Sequence, residues 1–125
     1  MKDKSLIIIP TYNEAENIKD VINKILSLQN NNFILVVDDN SPDGTSNIVE
    51  NLKKDNTDKL FLITREKKDG LGSAYKVGFK WALEQDFSYI FEMDADLSHD
   101  PNEIENLKIL LINNECDVAI GSRYL

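Results

Sequence analysis

The chain has one cysteine, one histidine and too few cations for its acids: 14 Lys and Arg stand against 22 Asp and Glu in 125 residues, a formal net charge of −8. The lone cysteine, Cys116, excludes an internal disulfide, fits a reducing compartment and reads as a small buried residue. The acidic balance argues against a nucleic-acid backbone as partner, because phosphates are repelled unless a basic patch or a metal intervenes. It favours a phosphate site assisted by a metal. Apolar runs such as Leu6–Ile9 and Ile109–Ile112 fall far short of the about 20 residues of a membrane helix, and Lys2 and Lys4 are not followed by a secretory apolar segment. The expected location is cytoplasmic or peripheral to a membrane. No repeat, linker or low-complexity tract interrupts the chain, and 42% hydrophobic residues over this length suit one domain, not two.

What is present is alternation. Short apolar runs at Ser5–Ile9, Phe33–Val37, Leu60–Thr64, Tyr89–Met93 and Val118–Ile120 predict strands buried on both faces. Helix-period segments lie between them. The first places Ile18, Val21, Ile22, Ile25 and Leu26 on one face, with Asn13 and Glu16 spaced as a capping box. A second follows Asp43-Gly44-Thr45 and buries Ile48, Val49 and Leu52; a third begins near Gly72 with Ala74, Tyr75, Phe79, Ala82 and Leu83 inward. The fourth opens on Asp100 as N-cap, with Pro101 at its first position and Glu103 three beyond the cap. Strand–helix alternation of this kind implies right-handed crossovers, hence an α/β domain with a mainly parallel sheet and helices on both faces.

In such a sheet, ligands bind beyond the carboxyl ends of the strands, and those are the turns where this sequence is polar. Pro10-Thr11-Tyr12-Asn13-Glu14 follows the first strand, Asp38 to Gly44 the second, Arg65 the third and Asp94-Ala95-Asp96 the fourth. Thirteen aspartates in this length give roughly one Asp-x-Asp by chance, so position, not pattern, singles out the last motif. Extended backbone turns residues i and i+2 the same way, so Asp94 and Asp96 can reach one hard cation. Taken alone, Asp38 to Gly44 also reads as an Asx-rich turn capping the next helix, and Tyr12 as a half-buried ring at the sheet edge. Gly70-Leu71-Gly72 opens like a dinucleotide fingerprint, but Tyr75 occupies the third glycine position and the segment follows the third strand. Both features argue against a Rossmann dehydrogenase.

The stretches Ile9 to Glu14, Val36 to Thr45, Gly70 to Ala74, Asp94 to His99 and Gly121 to Tyr124 occur in the order and spacing of the family-2 glycosyltransferases with the GT-A fold. The chain most resembles the polyprenol (dolichyl) phosphate mannosyltransferases, over nearly its whole length. That resemblance implies that Pro10, Tyr12 and Glu14 hold the guanine and ribose of GDP-mannose and that Asp38 and Asp39 accept hydrogen bonds from the base and ribose. It implies that Asp94 and Asp96 hold Mg²⁺ or Mn²⁺ against the diphosphate, with Arg123 as the basic contact to a phosphate oxygen. Gly72 lets its loop approach the donor, and Lys76 lies near as a further phosphate contact. His99, just ahead of a helix N-cap, reads as a surface group.

The implied reaction is an inverting transfer of mannose to a polyprenyl phosphate, an acceptor already charged near neutral pH and so in little need of a strong protein base. Two other classes stay open: a sugar-nucleotide-binding module without catalysis, or a transferase with another donor sugar. A nucleotidyltransferase would need a glycine-rich basic loop after strand one, where Pro10 to Glu14 has neither feature. Members of the family continue past the Gly-Ser-Arg-Tyr segment into an acceptor-binding half. The expectation is therefore a donor-binding part, truncated after Leu125, that self-associates or takes a partner supplying the rest.

Overall fold

The structure is a computed structural model that describes residues 4–28, 31–66 and 71–95. In chain order these form β1 (Ser5–Thr11), α1 (Ile18–Ser27), β2 (Asn32–Asp38), α2 (Thr45–Asp55), β3 (Leu60–Thr64), α3 (Leu71–Leu83) and β4 (Tyr89–Glu92). The four strands lie in the order β3-β2-β1-β4, and every pairing is parallel. The expected strand Val118–Ile120 and the helix opening at Asp100, Pro101 and Glu103 fall outside the described residues.

Alternation of side chains along the strands divides the core in two. Ile7, Ile9, Ile34 and Val36 pack with Ile18, Val21, Ile22 and Ile25 of α1 and Val49 of α2 on one face. Leu6, Ile8, Leu35 and Val37 pack with Ala74 and Ala82 of α3 on the other. Both faces are dry, which is why these strands read as continuous apolar runs. The α3 helix comes close because its inner stripe is small: a Cβ on Gly78 would stand 2.7 Å from the Ile8 Cγ2 methyl.

Pro10 shapes the exit of β4. The Met93 N–H donates to the Ile8 carbonyl at 3.1 Å, so the even-numbered residues of β1 face β4. Pro10 is the next of them, and without an N–H it cannot give the following rung. The ladder accordingly ends at Ile8 opposite Glu92, and Met93, Asp94 and Ala95 leave the sheet. Phe91, Met93 and Ala95 belong to the cluster on the α1 side, so Glu92 and Asp94 turn to the α3 side. The opposite, amino-terminal edge is apolar and cationic: Phe33 and Phe87 meet edge to face at 5.6 Å, and the Lys4 ammonium lies 5.3 Å from the Phe33 ring.

Two local expectations are corrected. No capping box forms at Asn13 and Glu16, because α1 starts at Ile18 with Asn17 as N-cap and no side-chain cap bond. Residues 14–17 instead make a turn in which Asn17 and Ile18 both donate to the Glu14 carbonyl. Leu83 is not inward: it is 78% exposed, since the 75–79–83 row flanks the inner stripe and its last member stands at the helix end.

Candidate functional site

All four strand exits lie at one edge, and three of their loops are bound into a single rim. Asp38, the last residue of β2, is fully buried. Its Oδ1 accepts the Thr11 and Ser41 hydroxyls, each at 2.6 Å, and its Oδ2 accepts the Ser41 N–H at 3.0 Å. The carboxylate thus ties the end of β1 to its own following loop. Ser41 in turn receives the Asn13 N–H on its hydroxyl oxygen at 2.9 Å, and Asn13 takes the left-handed conformation, φ 58°, which asparagine tolerates better than most residues.

Asp43 and Thr45 add a second tie at the start of α2. The Ala15 N–H donates to Asp43 Oδ2 at 3.0 Å, and the Thr45 N–H and hydroxyl donate to Oδ1. Thr45 Oγ1 also accepts the Glu14 N–H at 3.1 Å. Desolvation pushes the Asp43 carboxyl upward, but the bonds from the Thr45 side chain and the Ala15 and Thr45 N–H groups more than offset it and hold the group below its ordinary range. Gly44, at φ 89°, makes the left-handed turn between the two residues.

The third loop joins through Arg65. Its Nε donates to Asp39 Oδ1, its Nη2 to Asp39 Oδ2 at 2.7 Å and its Nη1 to the Ser73 hydroxyl at 2.7 Å. Both side chains of this ion pair are nearly buried, 13% and 7% exposed. The Arg65 N–H donates to the Asp38 carbonyl at 2.7 Å, and the Asn40 side-chain amide to the Glu66 carbonyl at 3.0 Å. The sequence places Arg65 at the exit of the third strand and Ser73 within the Gly70 to Ala74 stretch, but it gives neither a role. The available signal was a lone cation among acidic strand exits.

At the fourth exit, Asp94 is half-buried and its Oδ1 accepts the Tyr75 hydroxyl at 3.3 Å. Burial, then the Asp94 and Glu92 carboxylates, drive that hydroxyl far above its usual range, so it stays a donor. Burial followed by the Asp94 charge raises Glu92. The first turns of α3 therefore touch both parts of the site, through Ser73 to Arg65 and through Tyr75 to Asp94.

The remaining sequence-predicted residues are distributed around this rim. Tyr12 is 39% exposed, Pro10 is buried, Glu14 is half-buried and Lys76 is exposed on α3, whose first turn contains Gly72. Asp96, His99, Cys116 and Arg123 lie outside the described residues. Among the described residues, no group of three or more His, Cys, Asp or Glu is placed to hold a metal. A cation that takes one or two protein carboxylates and completes its shell with phosphate and water fits Asp94; one needing an all-protein cage does not.

Residues 6–125 match the model of glycosyl transferase family 2. Over 122 residues the chain is 43% identical to polyprenol monophosphomannose synthase of Mycolicibacterium smegmatis, covering 98% of this chain and 46% of that protein. It is 45% identical over 124 residues to dolichol-phosphate mannosyltransferase of Pyrococcus furiosus, covering 98% of this chain and 34% of that one. The chain thus spans half or less of the length of these curated relatives. Among solved structures, the mannosyltransferase PcManGT from Pyrobaculum calidifontis, in complex with GDP-Man and Mn²⁺, superposes with a TM-score of 0.60 at 26% identity, over 65% of this chain and 25% of that one. Residues 1–349 of S. aureus TarS superpose with a TM-score of 0.72 at 24% identity, over 90% and 33%, a likeness of fold.

Proposed function

The chain belongs to glycosyl transferase family 2, and from that premise we propose that it is the donor-binding part of a mannosyltransferase that moves mannose from GDP-mannose to a polyprenyl phosphate with inversion at the anomeric carbon. The observation that carries this reading is the bonded rim of strand exits, with the Asp39–Arg65 pair at one end and Asp94 at the other. Relatives at 43% and 45% identity, which carry polyprenol- and dolichol-phosphate mannosyl names, support the sugar and the acceptor class.

The bonds of the rim support different work for residues that sequence alone treats alike. Asp38 is spent on Thr11 and Ser41, so it holds the loop while Asp39 meets the nucleoside. A carboxylate has about four acceptor sites; Arg65 takes two of those on Asp39, and the others can accept from guanine or ribose. Tyr12 offers an exposed ring for stacking, with Pro10 and Glu14 shaping the same wall. Toward the diphosphate, Asp94 and Asp96 would hold Mg²⁺ or Mn²⁺, and Gly72, Lys76 and Arg123 are assigned to the phosphates. A bound cation of this kind neutralises the diphosphate and stabilises its departure. An acceptor phosphomonoester, with its second pKa near about 6, arrives already charged and needs no strong base from the protein.

Among the described residues no helix is long and apolar enough to cross a membrane, and we place the protein peripherally at the cytoplasmic face, where a lipid phosphate is accessible. Because the chain covers 46% of the Mycolicibacterium relative, a second reading keeps donor binding without transfer, with the acceptor half supplied by further chain, a second copy or a partner. Labelled mannose transfer from GDP-mannose, measured with and without undecaprenyl phosphate, separates the two. Lipid-dependent product supports the transferase; donor binding without product supports the module.

A further inference from the structure

We propose that Tyr75 is a positioning residue for Asp94, and that its hydroxyl sets how tightly this chain holds a divalent cation. The inference rests on the donor-site reading above and goes beyond it by assigning a role to a residue that the motifs leave as part of a helix face. The Tyr75 ring packs against the cluster of Leu6, Ile8, Leu35 and Val37, which fixes where its hydroxyl emerges. That hydroxyl donates to Asp94 Oδ1 at 3.3 Å.

Asp94 needs such a guide for a reason built into the sheet. Pairing with β1 ends at Glu92, so the regular ladder no longer dictates the direction of residue 94. A phenol is neutral near pH 7 and donates one hydrogen bond, so it fixes Oδ1 without bringing a charge that competes with a cation. Partners that orient a metal-binding carboxylate in this way typically change metal affinity about 10–100-fold when removed.

The test uses Tyr75→Phe in the full chain, which keeps the packed ring and deletes only the hydroxyl. Three quantities are read: the Mn²⁺ concentration that half-saturates GDP binding by calorimetry, GDP affinity without metal, and the melting temperature. The expected result is a rise of about tenfold or more in half-saturating Mn²⁺, with metal-free GDP affinity and melting temperature unchanged. Unchanged Mn²⁺ dependence in the variant, beside a wild type that responds to Mn²⁺, overturns the role of Tyr75 alone. So does an equal loss of GDP affinity with and without metal, which would make the hydroxyl a packing group. A wild type whose GDP binding ignores Mn²⁺ overturns the donor-site reading and this inference together.

Discussion

Arg65 grips Asp39 across 26 residues of sequence with two parallel hydrogen bonds, Nε to Oδ1 and Nη2 to Oδ2, and uses its third nitrogen on Ser73. The pair joins the exits of β2 and β3 to the first turn of α3, and in the proposed reading it also holds Asp39 for the nucleoside. Replacing Arg65 by Met strands the Asp39 carboxylate in a nearly buried position and is expected to cost about 2–5 kcal/mol, read as a lower urea midpoint. Arg65→Lys keeps the charge but not the planar fork. It is expected to recover part of the stability while losing preference for guanosine over uridine diphosphate.

Asp38 and Asp39 are adjacent and identical, yet Asp38 is bonded to Thr11 and Ser41 and Asp39 to Arg65. In Asp38→Asn the new amide NH₂ takes one oxygen's place, against either the Ser41 N–H or the two hydroxyls now donating to Oδ1. With the NH₂ toward the hydroxyls, both can turn to accept from it but their own protons lose Oδ1, and with it toward Ser41 two N–H groups face each other, so a loss of about 1–3 kcal/mol is expected. Chemical denaturation of Asp38→Asn should show that loss, and GDP affinity should fall only as far as the loop loosens.

Asp43 gives a pH signature. Its folded-state carboxyl titrates below the ordinary value of 3.8, so its contribution to stability is fully present above that value and lost as pH falls through the folded-state one. Asp43→Ala is expected to lose about 1 kcal/mol at neutral pH through the missing helix-start bonds. Across the acid limb the gap between wild type and variant should close, as followed by thermal melts from pH 6 to pH 2.

Gly78→Ala tests the packing that brings α3 to the sheet. With Ile8 Cγ2 only 2.7 Å from the added carbon, and a β-branched neighbour that cannot swing aside, overpacking of about 1–3 kcal/mol is expected. Because α3 carries both Ser73 and Tyr75, a shift of the helix should also weaken Mn²⁺-dependent GDP binding. A variant as stable as wild type would mean the helix sits farther from β1 than described.

The fold was legible because its signals are local. Runs such as Leu6 to Ile9 and Phe33 to Val37 announce two-faced burial, and the Asx-rich reading of Asp38 to Gly44 holds in the bonds from Thr45 to Asp43. Strand ends were read short, since Thr11 and Asp38 continue β1 and β2 while already serving the site. What sequence alone did not yield is pairing at a distance. The Asn13–Glu16 spacing mimics a helix start, yet Asn13 is committed to Ser41, 28 residues away. The unions of Arg65 with Asp39 and of Tyr75 with Asp94 depend on how loops meet across the sheet, which no spacing rule encodes.

The most direct test of the account is competition for bound GDP-mannose by GDP and by UDP on the full chain in saturating Mn²⁺. A rim in which Asp39 and Tyr12 read the nucleoside leaves polar groups unpaired with the wrong base, at about 1–3 kcal/mol each. GDP is therefore predicted to displace the donor at a concentration at least about tenfold below that of UDP. Equal displacement by the two nucleotides, or stronger displacement by UDP, would contradict the mannosyl-donor reading.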